Sequence, residues 1–276
     1  MAKKPIIISV LCLISLVLGY LSGLKDEESL SNGDAQKNSK KEPEFLREGL
    51  VAYYPFNGNA DDESGNGHNG IVNGATLTQG RSKSKKSAYQ FDGKSWIELG
   101  NITQDYGNIT FSAWVRVGLK NEIYTANSDL CHKIIISKVR RDNGTGFSIQ
   151  ANLRRKHFSA TLITSNSSRG DAASSQGILT PEYVANWHHV VATADGKNVR
   201  LYLDGGEVRE RSGSFNSEFN GPTLSGKPIF IGKEFGVLPP AASPRFFAGS
   251  IDDVRIYSRA LSAEEVKALY GFEKAE

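Results

Sequence analysis

Two stretches of this 276-residue chain hold most of the side chains suited to chemistry. From Pro55 to Gly70, PFNGNADDESGNGHNG places Asn57, Asn59, Asp61, Asp62, Asn66 and Asn69 in one glycine-softened loop. Near the other end, FAGSIDDVRIYSRAL from Phe247 adds Asp252 and Asp253. Calcium takes about six to eight oxygens from carboxylates, amides and backbone carbonyls, and these residues offer that chemistry. Asp252 shares strand parity with Val254 and Ile256, so period-2 alternation turns it toward the buried face. A carboxylate there needs a cation or a donor. The same residues admit a second reading, an Asx-rich turn capped by its own backbone, with Asp252 held by amides or an arginine.

Other chemistries fare less well. A glycosidase needs two carboxyls about 5 to 9 Å apart across a sugar cleft, and no E-x-D-x-x-E run occurs. Asp252 and Asp253 are adjacent and are expected on opposite faces of their strand, while Glu63, Glu98 and Glu122 are isolated. His188 and His189 follow Trp187 at a strand start and read as structural, and His132 and His157 lack zinc-ligand spacing. No nucleophile-elbow context accompanies any serine. Basic loops are the remaining lead: Arg81, Lys83, Lys85 and Lys86 in one, Arg140 and Arg141 in a second, Arg154, Arg155 and Lys156 in a third, Arg209 and Arg211 in a fourth. Arg81, Lys83, Arg154 and Arg155 are the candidate ligand-binding residues, through pairs with sulfate or uronic-acid groups. Tyr124, Phe158, Phe219 and Phe235 are candidates to stack on sugar rings.

The elements that must position these groups are short. Runs such as Leu50 to Phe56, Ile71 to Leu77, Ala88 to Phe91, Trp96 to Leu99 and Ile109 to Val117 alternate or are rich in β-branched and aromatic residues. Asn73-Gly74, Asp92-Gly93 and Asp195-Gly196 read as hairpin turns between successive strands. About a dozen strands at this spacing predict a two-sheet antiparallel sandwich or jelly roll. Ser262 with Glu265 is a capping box for one short C-terminal helix, with Val266, Leu269 and Tyr270 on its apolar face and Gly271 as its stop.

Upstream, Lys3 and Lys4 precede an uncharged run from Pro5 to Gly23 that is long enough to cross a bilayer of about 30 Å. Residues 1–24 therefore read as a signal anchor or a signal peptide, the anchor favoured because no A-x-A-like cleavage pattern is present. The lysines place the N-terminus in the cytoplasm and the remainder outside, at the cell envelope or the extracellular face of a membrane. Residues 25–48 are polar and mixed in charge and read as a disordered linker. The net charge of +3, with no basic stripe, excludes a nucleic-acid partner. Cys12 lies in the apolar run and Cys131 is alone in the folded part, so no intradomain disulfide forms.

Four segments in order carry a resemblance: GLVAYYPFNGNADDESGNGHNG from Gly49, SAYQFDGKSWIEL from Ser87, WHHVVATADGKNVRLYLDG from Trp187 and GSIDDVRIYSRALSAEEVKALY from Gly249. Residues 49–276 resemble the laminin G-like, concanavalin A-like jelly-roll domains of bacterial surface and secreted proteins. The resemblance implies an all-β, two-sheet antiparallel jelly-roll sandwich whose first and last strands are neighbours, with a structural calcium ion. Its pattern matches Asp62 and Asp252 as calcium ligands, with Asn59 a further candidate. For function it implies glycan binding, protein binding or accompaniment of other modules. The expectation is an exported, membrane-tethered, non-catalytic module that binds a polysaccharide or a glycoprotein glycan. The alternative is an adhesion or envelope-assembly module that contacts a protein.

Overall fold

The structure is a computed structural model. It describes residues 42–274 except 84–85, 101, 103–107, 119–130, 139–145, 164–168, 175, 209–210, 213–227 and 235–244. The segment 1–24 and most of the expected linker lie outside these residues, as do Glu122, Tyr124, Arg140, Arg141, Phe219 and Phe235.

In chain order the described strands are β1 (Leu50–Tyr54), β2 (Gly70–Asn73), β3 (Thr76–Thr78), β4 (Ala88–Asp92), β5 (Trp96–Leu99), β6 (Ile109–Val117), β7 (His132–Ser137) and β8 (Gly146–Asn152). There follow β9 (His157–Ile163), β10 (Arg169–Ala173), the short helix α1 (Pro181–Val184), β11 (His188–Ala194), β12 (Val199–Leu203) and β13 (Gly206–Val208). The last are β14 (Arg211–Ser212), β15 (Ile229–Ile231), β16 (Ala248–Tyr257) and the helix α2 (Ala263–Lys274). One sheet runs β13-β12-β11-β6-β16-β4-β3, with β1 also paired to β16, and the other runs β14-β10-β9-β8-β7-β15-β5-β2. All the strand pairings are antiparallel, and the inner faces bury one core that includes Phe111 stacked on Phe147 at 4.4 Å. The first and last strands are neighbours, Tyr53 opposite Arg255.

Two expected hairpins are instead crossings. β2 and β3 lie in different sheets, as do β4 and β5, so the Asn73-Gly74 and Asp92-Gly93 turns carry the chain across the sandwich. Asp92 Oδ1 accepts the amides of Lys94 and Ser95, closing the second of these turns without any strand pairing. The Asp195-Gly196 turn does join a hairpin, β11 with β12.

Residues 42–48, within the stretch expected as linker, contact the sandwich, with Glu42 accepting from Arg255. A 3-10 turn at Glu44–Leu46 buries Leu46 in a second cluster with Val191, Tyr257, Leu261, Val266 and Leu269. That cluster is the seam between the outer face of the first sheet and α2. The capping box is present: Ser262 N donates to Glu265 Oε2 at 2.8 Å and Glu265 N to Ser262 Oγ at 3.2 Å. Gly271 does not stop the helix, which continues to Lys274 because Phe272 and Glu273 are buried against the sheet.

Candidate functional site

β1 pairs with β16 along one edge, and the Asx-rich loop closes the other. Tyr53 N donates to Asp62 Oδ1 at 2.9 Å and Tyr53 O accepts from Glu63 N at 2.8 Å, a ladder made partly by a side chain. Asn66 Nδ2 donates to Val51 O at 2.9 Å and Tyr54 Oη to His68 O at 2.5 Å. Asp62 is the hub, since Ser64 N also donates to Oδ1 and His68 N to Oδ2, both at 2.9 Å. Burial alone would raise the Asp62 pKa, but these donors outweigh it and hold the carboxyl below its ordinary range. Asn59 serves the same loop: its Oδ1 accepts from Asp61 N and its Nδ2 donates to Asp61 Oδ2. An unpaired strand edge is a liability, and this loop covers it.

Asp252 lies elsewhere. β16 carries a bulge between Asp252 and Arg255, with Asp253 at φ 42°, so parity reverses at this point. Ile251, Val254 and Ile256 face the intersheet core, while Asp252 faces outward, toward the β3–β4 connection. Both corrections to the alternation argument follow: Asp252 is not on the core face, and the adjacent carboxylates converge instead of diverging. Arg81 reaches the pair, donating through its backbone to Asp252 Oδ2 at 3.3 Å and through Nη2 to Asp253 Oδ2. Its guanidinium lies 4.7 Å over the Trp114 ring and Nη1 donates to the Glu273 carbonyl oxygen. With its side chain only 8% exposed, Arg81 presents no guanidinium to a ligand at the rim.

A second arginine continues the cluster. Arg255 donates from Nε to Glu273 Oε1 at 2.8 Å and from Nη1 to Glu42 Oε1 at 2.6 Å, stacked 3.8 Å over Tyr53. Trp114 Nε1 donates to Glu273 Oε2 at 2.7 Å, and Tyr53 Oη to Asp253 Oδ1 at 2.8 Å. Burial pushes Asp252 up to about 8, with the neighbouring Asp253 adding to it against Arg81, and raises Glu273 to about 7. His189, fully buried beside Trp114, is held down to about 3 by burial, while His188 bonds Asp204 Oδ2 and the Tyr183 carbonyl. Both histidines are structural in this arrangement.

A cleft of about 70 Å³ opens at the acid pair, lined by Tyr53, Asn57, Ser82, Ser87, Asp252 and Asp253 among others. Gly80 makes room for it: a Cβ there would stand 2.8 Å from Asp252 Oδ2 and 2.3 Å from Ser87 Oγ. Among the described residues no group of three or more His, Cys, Asp or Glu is arranged for a metal, so a cation here would also draw on amide, hydroxyl or carbonyl oxygens. The cleft is small and polar, and its two buried carboxylates, Asp252 and Asp253, share it with the Arg81 guanidinium. Asp252 lines this cleft, whereas Asp62 and Asn59 do not.

The basic candidates do not converge through any described contact. Lys83 is exposed at φ 62° in the β3–β4 connection of the first sheet, and Arg154 and Arg155 are exposed at the β8–β9 turn of the second. Phe158 is fully buried in the core and cannot stack on a sugar. Sequence reasoning missed Glu42, Trp114, Arg255 and Glu273. Glu273 carried a signal, since it stands four and seven residues after Leu269 and Val266, on the apolar stripe of its helix.

A family model described as the concanavalin A-like lectin/glucanases superfamily matches residues 91–267. Among solved structures, domain 4 of AbnA, a GH43 extracellular arabinanase from Geobacillus stearothermophilus, in complex with arabinotriose, is 20% identical with a TM-score of 0.59. That match covers 80% of this chain and 98% of that one. The binding domain of Paraclostridial Mosquitocidal Protein 1 gives 21% identity and a TM-score of 0.62, over 82% of this chain and 52% of that one. The botulinum neurotoxin serotype G binding domain gives 19% and 0.60, over 81% and 51%. The chain thus spans about half the length of the toxin domains it resembles. No curated protein matches it in sequence.

Proposed function

The chain belongs to the concanavalin A-like lectin/glucanases superfamily, and from that premise we propose that it is a non-catalytic carbohydrate-binding module, exported and tethered to a membrane by its N-terminal apolar run. The observation that carries this reading is the near-complete correspondence with a domain solved in complex with arabinotriose, over 80% of this chain and 98% of that one. The other neighbours are binding domains too, which supports a binding role over catalysis. The tether rests on residues 5–23, outside the described part; among the described residues no helix is long and apolar enough to cross a membrane.

A structural calcium ion in the cleft at Asp252 belongs to the same reading. It is supported by the buried carboxylate, the neighbouring Asn57 and Ser87 oxygens and the excess negative charge. A protein-contact module is the second reading, favoured by edge strand β2, where Ile71 is 63% and Val72 38% exposed. The deciding experiment is retention of the purified protein on immobilised neutral and acidic polysaccharides, in calcium and in EDTA. Retention on at least one chain is expected, and retention on none rejects the carbohydrate reading.

A further inference from the structure

Arginines held by the fold are nearly all paired with carboxylates: Arg81 with Asp253, Arg200 with Asp195, Arg245 with Glu234, Arg255 with Glu273 and Arg259 with Glu265. Arg116 differs. It projects from β6 on the outer face of the first sheet, half-buried, and has no carboxylate among the described residues. Its guanidinium stands 5.2 Å over the Trp187 ring, and Nη2 donates to Ser250 Oγ at 3.2 Å. Ser250 Oγ in turn donates to Gln90 Oε1 at 2.8 Å, and Gln90 Nε2 donates to the Phe91 carbonyl at 3.1 Å. Stacking and this relay fix the guanidinium plane, while its remaining N–H donors meet no acceptor among the described residues.

Arg116, Ser250 and Gln90 border a cleft of about 320 Å³, lined also by Gly118, Val184 and Gly249. Gly249, at φ 141°, is required here, because a Cβ would lie 2.3 Å from the Arg116 carbonyl oxygen. Glycine at this point lets β6 and β16 close together beside the cleft. The cleft is at the lower end of small-ligand site volumes, room for about one or two sugar rings. Its polar side chains offer the donors of Arg116 and Gln90, while the acceptors of Gln90 and Ser250 are already engaged. A donor-rich pocket with a preformed planar fork selects a carboxylate, which a guanidinium binds through two parallel hydrogen bonds.

We propose that this cleft binds the carboxylate of an acidic sugar, with Arg116 as the recognition residue and Trp187 and Ser250 as its positioning residues. The inference rests on the carbohydrate-binding reading and adds the ligand class and the place. A uronic acid within a polysaccharide and a terminal sialic acid share this chemistry, and the test separates them.

Binding of the full-length protein would be measured by calorimetry to tetragalacturonate and to its fully methyl-esterified form, and to sialyllactose and lactose. One acidic member is expected to bind about tenfold or more tightly than its uncharged partner, with affinity falling as salt rises. Arg116→Gln should abolish that preference, and Arg116→Lys, which keeps charge but not the fork, should recover only part of it. Thermal melting of each variant checks that the fold is intact. Glycan binding that is indifferent to carboxylate and to Arg116→Gln would overturn this site and leave the broader reading standing. No binding to these or to any of the immobilised polysaccharides would overturn both.

Discussion

Glu42, Asp252, Asp253 and Glu273 give four carboxylates to two guanidiniums, and the excess charge makes stability depend on protons or a cation. The folded-state pKa of Asp252 is raised from 3.8 to about 8 and that of Glu273 from 4.5 to about 7, by burial first. Their stabilising contribution is therefore full below about pH 4 and is lost as pH rises toward 8. His189 has the opposite sign, because its pKa falls from 6.5 to about 3. Its contribution is complete above pH 6.5 and fades only as the solution is acidified. Between pH 6.5 and 8.5 these two carboxyls lose stabilisation as pH rises while His189 stays neutral, so calcium-free protein is expected to melt at lower temperature as pH rises. Asp252→Asn should flatten that slope, and melting curves that remain parallel to wild type would remove Asp252 from the account. Millimolar calcium should raise the melting temperature more at pH 8 than at pH 6, because the ion favours the ionised carboxylate. Asp252→Asn should remove that rise, whereas Asp62→Ala should keep it.

At the scale of elements, two segments decide how the site is built. The loop of residues 57–69 acts as a substitute strand on the free edge of β1. Asp62→Ala removes the acceptor of three amides and should cost about 2 kcal/mol, whereas Asn59→Ala, on an exposed turn, should cost less than about 0.5 kcal/mol. Hydrogen exchange at the amides of Tyr53, Ser64 and His68 checks the cause. The helix α2 covers the outer sheet face, and Leu269→Ala should cost about 2 to 5 kcal/mol in a denaturant melt. How much of this was legible follows from the same two segments. The strands and the capping box were readable from pattern, and the pairing of first and last strands from the family resemblance. The reversal at Asp253 was not, because a bulge is an extra residue in a ladder and no local composition announces it. Asp62 and Asp252 pair as candidates because both match positions of the family's pattern, yet one caps backbone and the other meets Arg81. The role of Arg81 depends on a contact 171 residues away in sequence, beyond any spacing rule. The turns at Asn73-Gly74 and Asp92-Gly93 were recognised as turns and misassigned as hairpins, since turn chemistry fixes a reversal and not which sheet receives the next strand.

At the scale of the molecule, the outer face of the first sheet is divided between packing and an open cleft. α2 and the 3-10 turn cover part of it, and the cleft at Arg116 opens on the same face beyond them. The position of that cleft also separates binding from stability: Arg116→Gln is expected to change retention with little change in melting temperature, unlike any substitution at Glu273 or Arg255. The Arg255 guanidinium has a further consequence. It grips Glu42 at one end of the packed body and Glu273 at the other, 2.6 and 2.8 Å away, so the body has its entry and exit side by side. A unit of that kind behaves as a bead that can be threaded into another protein's surface loop without stretching its host. It should equally survive relocation of its termini, with residue 274 joined to residue 42 by a short glycine-rich bridge and new ends opened at the exposed turn of Arg154 and Arg155.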